Sequence, residues 1–125
     1  MARPYKKALH YFNLDCVQED NLNLIEAKHG IVGYGVVVKL WKKIYGISGY
    51  YCDWKERNLF LFAREVNVSA EVITGIVESC FEEGIFSREM FERHKILTSS
   101  GIQKRWKKLL QKQSEKMLKS NQILT

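Results

Sequence analysis

The sequence is poor in proline and cysteine, and both shortages narrow the classes of protein it can represent. Its 125 residues include one proline, Pro4, so no proline interrupts a helix after the first few positions. The three cysteines, Cys16, Cys52 and Cys80, are odd in number and lack the paired spacing of a disulfide framework. We therefore expect three free thiols, at least two of them in apolar surroundings, in the reducing environment of the cytoplasm.

Long apolar runs and secretion signals are also missing. The most hydrophobic stretch, residues 31–45, is interrupted by Lys39, Lys42 and Lys43, so it is too short and too charged to span a membrane. The basic start, residues 1–7, is not followed by the apolar core that a signal peptide requires. With 46% hydrophobic and 27% charged residues, the composition is that of an ordinary globular domain. We expect one globular domain that is located in the cytoplasm and does not bind membranes.

Positive charge is concentrated at one end of the chain. The net charge is +6, yet residues 1–98 carry 13 basic and 13 acidic side chains and are neutral as a whole. Residues 99–125 carry seven Lys and Arg against Glu115 alone. Such a concentrated basic segment indicates a phosphate-bearing or acidic partner, whereas a neutral body does not.

The spacing of apolar residues predicts helices in the first half of the chain. One helix begins at the N-cap Asp20 and ends at Gly30. The next helix, residues 31–45, is apolar nearly all the way round and should therefore be buried at the centre. The side chains that we expect in the core are Trp41, Ile44, Phe62, Ile73, Val77 and Phe81.

Two further helices, joined by the short turn 67–69, form a helix-turn-helix pattern. The first covers residues 55–66, and the second begins after the N-cap Ser69 and ends at Gly84, where a left-handed C-cap belongs. The outward positions of the second helix include no Lys or Arg; they are Ala70, Glu71, Thr74, Gly75, Glu78, Ser79, Glu82 and Glu83.

Short strands complete the predicted fold. Residues 50–54 read as one strand, and residues 85–86 and 96–98 read as a hairpin that encloses the helical insert 88–94. The expected fold is therefore mainly α with a small β-hairpin, that is, a winged helix-turn-helix followed by a C-terminal helical extension.

We divide the chain into a winged-helix domain with an N-terminal arm, residues 1–99, and a basic C-terminal helix, residues 100–125, which is also a candidate start of a linker. Lys104, Lys108 and Lys112 share one face of this helix. Trp106 is better explained as a packing anchor than as a base-stacking residue. The candidate nucleic-acid-binding residues are Lys104, Arg105, Lys107, Lys108, Lys112 and Lys116. A solvated linker helix without a ligand remains an equal alternative.

The remaining motifs have structural explanations. The glycines of residues 30–35 follow the order G-x-x-G-x-G without a preceding strand, so they do not match the dinucleotide fingerprint and instead suggest a helix junction with close backbone approach. His10, His29 and His94 lack the spacing of metal ligands. No nucleophile stands in a recognisable arrangement with a base. We expect no metal, no cofactor and no enzymatic activity.

Three stretches of the sequence are similar to segments of a known protein family. The resemblance is carried by ARPYKKALHYF (residues 2–12), by LIEA (24–27) leading into GIVGYG (30–35), and above all by ILTSSGIQKRW (96–106). Over about residues 2–108 the chain resembles the N-terminal winged-helix domains of phage replisome organisers and DnaD-like replication initiation proteins, the Lin-type phage protein N-terminal family.

The resemblance implies a winged-helix fold, a role in organising replication machinery with other replication proteins, and self-association. Members of this family are longer and carry a separate C-terminal domain, so functions of that domain are not transferred to this chain. The aromatic arm is suited to packing on a second copy, and the candidate oligomerisation residues are Tyr5, Leu9, Tyr11 and Phe12. The arm's cations, Arg3, Lys6 and Lys7, are a weaker second candidate for phosphate contact.

Three functions remain open at this point. The first is a self-associating replication module that binds DNA non-specifically through its basic helix. The second is a transcription regulator that reads an operator, although carboxylates on the second helix of the pair would be repelled by phosphate and offer no fork to guanine. The third is a protein-interaction module without a nucleic-acid ligand.

Overall fold

The fold is taken from a computed structural model that describes the backbone of residues 20–124 and the side chains of residues 21–47 and 49–115. This part of the chain is mainly helical with one small antiparallel sheet, as predicted. Its elements are, in order, α1 (Asp20–Lys43), a π-helical turn (Ile44–Ser48), β1 (Cys52–Asp53), α2 (Glu56–Val66), α3 (Ala70–Glu82), α4 (Arg88–His94), β2 (Ile96–Leu97) and α5 (Ser100–Leu124).

Helix α1 is kinked at Gly30, where the sequence predicts a helix end. Gly30 has a φ of 75° and a ψ of −169°, a conformation that glycine adopts without the steric penalty of a Cβ. Three residues later, a Cβ built on Gly33 would lie 2.6 Å from the Cβ of His29 and 3.2 Å from the backbone oxygen of Ile25. The structural interpretation of this glycine motif, a junction with close backbone approach, is therefore confirmed.

The half of α1 before the kink lies against the C-terminal end of α3. The Asn21 amide donates to the Glu83 carbonyl oxygen at 2.9 Å, and His29 Nε2 lies 2.8 Å from Ser79 Oγ. Ser79 is consequently buried, with 7% of its surface exposed. Its predicted outward position is wrong because the face of α3 that contains it is covered by the first half of α1.

In the half of α1 that follows the kink, the later turns are buried in the core and the first turn is exposed. Val36, Val37 and Leu40 are buried, whereas Ile31 is 69% exposed and Val32 43% exposed. The prediction of a fully buried helix is thus wrong for its first turn. The fully buried large side chains of the described core are Leu22, Ile25, Val37, Leu40, Ile44, Phe62, Ile73, Ile76, Phe86, Leu97 and Ile102.

Five of the six predicted core side chains are buried, and Phe81 is the exception. It is half-buried at the edge of the core, where its ring centre lies 5.4 Å from that of Phe91. The guanidinium carbon of Arg88 lies 5.2 Å from the same ring. Phe81 therefore packs beneath α4 instead of reaching the centre.

The sheet pairs strands that are distant in sequence. Cys52 is opposite Leu97 and Asp53 opposite Ile96. The predicted hairpin between residues 85–86 and 96–98 is wrong, because the N–H groups of Ile85 and Phe86 both donate to the Cys80 carbonyl oxygen, at 2.9 and 3.2 Å, and so close the end of α3. Ser87 N–H donates to the carbonyl oxygen of Thr98, the residue directly after β2, at 2.7 Å.

The turn between α2 and α3 follows the sequence closely. Asn67 ends α2 with a left-handed φ of 58°, and Ser69 Oγ accepts a hydrogen bond from Val72 N–H at 3.2 Å as the N-cap of α3. Gly84 then has the positive φ, 76°, that its predicted C-cap position requires. The two helices, their turn and both caps are thus where the sequence predicts them.

Gly33 and Gly35 form a matched pair for testing the close approach inside α1. We expect Gly33→Ala to lower the free energy of unfolding, because its Cβ would meet the His29 Cβ at 2.6 Å. Gly35→Ala meets nothing within 4 Å and should raise the free energy of unfolding by up to about 1 kcal/mol through helix propensity. Urea denaturation of both variants measures the difference, and equal effects of the two substitutions would contradict it.

Phe62 and Phe60 test the core on a single helix. Phe62 is 2% exposed and its ring centre lies 5.6 Å from that of Trp54, so Phe62→Ala should destabilise the fold by about 3 to 5 kcal/mol. Phe60 is 56% exposed, and Phe60→Ala should change stability by less than about 0.5 kcal/mol. Chemical denaturation measures the free energy of unfolding of both variants. Similar losses of this free energy in the two variants would contradict the assignment of Phe62 to the core.

Candidate nucleic-acid interface

Helix α5 has one face packed on the body and an opposite face rich in lysine. On the packed face, Ile102 is fully buried, and Trp106, Leu109 and Leu110 lie partly buried against the core. The exposed lysines fall within about 140° of the circumference on the other side, because successive residues of an α-helix are about 100° apart. These four residues, called the lysine face below, are Lys104, Lys107, Lys108 and Lys112.

The start of α5 is fixed firmly to the rest of the fold. Ser99 Oγ accepts from Ile102 N–H at 3.1 Å and so caps the helix. The ring of Trp106 lies with its centre 4.8 Å from that of Tyr50, and the guanidinium carbon of Arg105 lies 5.6 Å from the Trp41 ring centre. The ring contact supports the packing role predicted for Trp106. These contacts hold the first two turns of α5, and with them the first lysines of the lysine face, in a defined position on the body.

The lysines of this face form no ion pair with the described side chains. The ion pairs of this part of the chain join Lys28 to Glu82, Lys43 to Glu65, Arg88 to Glu78 and Arg93 to Glu89. None of them involves a lysine of α5. Four exposed ammonium groups consequently share one surface without forming an ion pair, and the exposed Glu115 is the acidic side chain on the same side of the described part of α5, one turn after Lys112.

Helix α3 offers a different surface. It contains no Lys or Arg, and it exposes Glu71, Glu78 and Glu82. Glu78 is paired with Arg88 of α4, and Glu82 with Lys28 of α1 at 3.5 Å. These pairs reduce the negative charge but supply no donor aimed outward from α3, so this helix lacks the groups that read guanine or adenine in a major groove.

Five of the six predicted phosphate-contacting residues are placed by the structure. Lys104, Lys107, Lys108 and Lys112 make up the lysine face, and Arg105 is exposed beside it. Lys116 lies in the same helix, but its side chain is outside the described residues. The predicted oligomerisation residues Tyr5, Leu9, Tyr11 and Phe12, and the cations Arg3, Lys6 and Lys7, also lie outside the described residues.

Comparison with known proteins places the chain in a family. The model of the Lin1244/Lin1753-like N-terminal family matches residues 11–102. The chain belongs to this family. The phage-related protein Lin1244/Lin1753 of Listeria innocua serovar 6a is 40% identical over 108 residues, which cover 85% of the chain and 35% of that relative. The chain thus spans about a third of the relative's length, and no solved structure matches it.

An apolar groove of about 440 Å³ is a second surface feature of this Lin1244/Lin1753-like chain. Trp54, Leu59, Val77, Phe81 and Phe91 form its walls, and side chains of both charge signs stand among its lining residues. Sequence analysis did not find this groove, because it placed Phe81 in the core and gave Phe91, within the helical insert 88–94, no role. The signal in the sequence was the pair Phe81 and Phe91, one aromatic residue in each of two consecutive helices, α3 and α4.

The buried cysteines of this family member do not provide a nucleophile. Cys52 and Cys80 are both buried, as the sequence predicts for at least two of the three thiols, whereas Cys16 lies outside the described residues. Burial raises the pKa of each thiol to about 12, so the reactive thiolate is scarce at neutral pH. In the described part of the chain, no group of three or more His, Cys, Asp and Glu side chains is arranged to hold a metal ion, and no helix is long and apolar enough to cross a membrane.

Thiol accessibility tests this burial directly. In a Cys16→Ser variant at pH 8, Cys52 and Cys80 should not react with Ellman's reagent in the native state, and both should react in denaturant. Because their native pKa of about 12 lies above the ordinary value of 9.0, the unfolded chain loses thiol protons first as the pH rises. The free energy of unfolding should therefore be unaffected by these thiols below pH 9 and fall between pH 9 and 12. Rapid native labelling at pH 8 would contradict the assignment.

Proposed function

We propose that the chain is a DNA-binding module that contacts duplex phosphates non-specifically through the lysine face of α5. The observation that carries the proposal is the set of exposed lysines without ion pairs, opposite a packed helix face. Lysine ammonium groups on a regular helix suit phosphate oxygens, whose positions along a duplex are independent of sequence. Residues 1–98 are neutral in sum, so the net positive charge of the chain lies in residues 99–125.

The expected binding is weak and depends strongly on salt. Not every cation of α5 faces one strand, so about three or four phosphates are neutralised at once, and the log–log dependence of affinity on salt has a slope of about −3 to −4. Binding of this kind tolerates any sequence and is nearly lost at high salt.

The cellular role belongs to the same proposal. The resemblance to replisome organisers and DnaD-like initiation proteins supports a winged-helix module that self-associates and helps to assemble replication machinery. The phage-related relative is consistent with such a role. Weak, sequence-tolerant phosphate contacts suit a scaffold that several copies form together on DNA, because each copy then contributes only part of the affinity.

A transcription regulator and a protein-interaction module would each need surface groups other than the lysine face. A regulator that reads an operator needs base-contacting donors, and α3 carries no Lys or Arg. A protein-interaction module without DNA is favoured by the apolar groove, since exposed apolar concavities are typical of partner sites. An enzymatic role has no support among the described residues.

A charge-reversal experiment tests the proposal. The variant Lys107→Glu, Lys108→Glu, Lys112→Glu should bind a mixed-sequence duplex at least about tenfold more weakly than the parent at low salt, and its salt slope should fall toward about −1. Fluorescence anisotropy at several salt concentrations measures both quantities. These side chains are exposed, so the fold should remain intact by circular dichroism.

A matched control separates the lysine face from net charge. Lys39→Glu, Arg57→Glu, Arg64→Glu makes the same change in charge at exposed positions of α1 and α2. This control should retain most of the parent's affinity. Equal losses in both triple variants would show diffuse attraction instead of a site, and a parent that binds no duplex at low salt would favour the protein-interaction module.

A further inference from the structure

Helix α2 exposes an apolar pair on the surface next to the apolar groove. Phe60 is 56% exposed and Leu61 is 59% exposed. Phe60 follows Leu59, which lines the groove, and stands one helical turn after Glu56, another lining residue. The ring of Phe60 is therefore at the edge of the groove but outside it. One surface of the molecule thus carries an exposed aromatic side chain and an aromatic-lined cavity side by side.

The groove suits an aromatic side chain in size and in character. It has a volume of about 440 Å³, and its walls include the rings of Trp54, Phe81 and Phe91. The ring centres of Phe81 and Phe91 lie 5.4 Å apart, and both side chains are only half-buried. Aromatic pairs attract each other beyond the effect of the area that they bury. A phenyl ring inserted into the groove would therefore cover apolar surface and gain ring contacts.

Two arginines flank Phe60 on the exposed side of α2. Arg57 stands one turn before Phe60 and Arg64 one turn after it, so the three side chains share one stripe along the helix. Both arginines are exposed, and neither forms an ion pair with the described side chains. The stripe is therefore apolar in the middle and positive at both ends.

The opposite rim of the groove, on α3, is negative. Thr74 and Glu78 line the groove, and Glu71 stands one turn before Thr74 on the same side of α3. Glu71 is exposed and, unlike Glu78, forms no ion pair with the described side chains. The lysines among the lining residues, Lys55 and Lys95, stand at the other end of the groove, next to the two strands. Unpaired cations on α2 thus face an unpaired carboxylate on α3 across one groove.

We propose that this surface is a dimer interface, in which Phe60 of each copy inserts into the apolar groove of the other. In a two-fold dimer the same surface meets itself, so a protruding side chain and the cavity that it fills must both belong to that surface. Here they lie side by side on α2, so two insertions close the dimer instead of extending a chain of copies. The same pairing brings the arginines of α2 to Glu71 of the other copy, twice.

The dimer rests on the self-association that is included in the proposed function, and it assigns a surface to that self-association. No partner of other composition is needed, because each half of the complementary surface is present on this chain. The charges of residues 1–98 sum to zero, so two such bodies approach each other without net repulsion. The lysines of α5 take no part in the interface, so phosphate contact and dimer formation are separate properties.

Sedimentation equilibrium of the full chain tests the insertion of Phe60. The parent should show a monomer–dimer equilibrium in the micromolar range. Phe60→Ala should raise the dissociation constant of the dimer at least about thirtyfold, because an aromatic anchor is lost at two symmetric positions. Ile31→Ala removes an apolar side chain of α1 that is 69% exposed, and it should change this constant less than about twofold. A parent that remains monomeric at high micromolar concentration, or equal effects of the two substitutions, would overturn the proposal.

Two charge variants test the complementarity of the rims. Arg57→Glu with Arg64→Glu makes the α2 rim negative like α3, and Glu71→Arg makes the α3 rim positive like α2, so each variant repels a second copy of itself. Each should dimerise at least about tenfold more weakly than the parent and keep its fold by circular dichroism, since these positions are exposed. An equal mixture of the two should form a heterodimer, because every pair of facing rims then has opposite charges. A mixture that stays monomeric would overturn the proposal.

Duplex binding distinguishes the dimer from the proposed function. At protein concentrations well below the dissociation constant of the dimer, fluorescence anisotropy measures the lysine face of single copies, so Phe60→Ala should bind a duplex as tightly as the parent. The same concentrations apply to the control that contains Arg57→Glu and Arg64→Glu, which then differs from the parent in charge but not in assembly. A monomeric parent that binds duplex would overturn the dimer alone. A parent that dimerises but binds no duplex would support the dimer and contradict the role of the lysine face.

Discussion

The rest of the fold depends on the packing of a kinked helix, α1, against α3. The positive φ of Gly30 turns the chain so that both halves of α1 place apolar side chains in one core, Ile25 before the kink and Leu40 after it. The absence of a side chain at Gly33 then lets the two halves approach each other closely. Once α1 is seated in this way, Trp41 is positioned to meet the start of α5.

The distribution of charge follows from the same packing. Carboxylates on α3 lie close to cations of other elements, as in the pairs of Glu78 with Arg88 and Glu82 with Lys28. At these two positions the negative charge of α3 is balanced by a cation of a neighbouring helix. Helix α5 has a different balance, because its sequence contains seven basic residues and one acidic residue. Charges on α3 thus form ion pairs that join elements of the body, whereas the lysines of α5 are available to an anionic partner.

Local signals explain which parts of the fold the sequence predicts well. The caps at Ser69 and Gly84, the break at Gly30 and the faces of α5 depend on residues a few positions apart, and they are placed correctly. Errors arose where distant segments decide the outcome. The burial of Ser79 depends on His29, fifty positions away, which no local pattern reports.

The surface features differ in the same way in how far the sequence predicts them. The lysine face follows from helical spacing alone, since Lys104, Lys108 and Lys112 are predicted to lie on one side of a C-terminal helix. The apolar groove was not predicted, because residues of three helices and Trp54 together form its walls. Sites of this kind become visible only when the elements have been brought together.

The pairing of β1 with β2 has a consequence for how the chain can vary. A hydrogen bond of 2.7 Å from Trp54 N–H to the Lys95 carbonyl oxygen, next to the sheet, brings the two ends of residues 54–95 side by side. The segment that contains α2, α3 and α4 therefore begins and ends at the same place, next to the two-stranded sheet. A change of length in the turn between α2 and α3, which makes no hydrogen bond to α1 or α5 within the described part of the chain, should therefore leave the pairing of β1 with β2 unchanged.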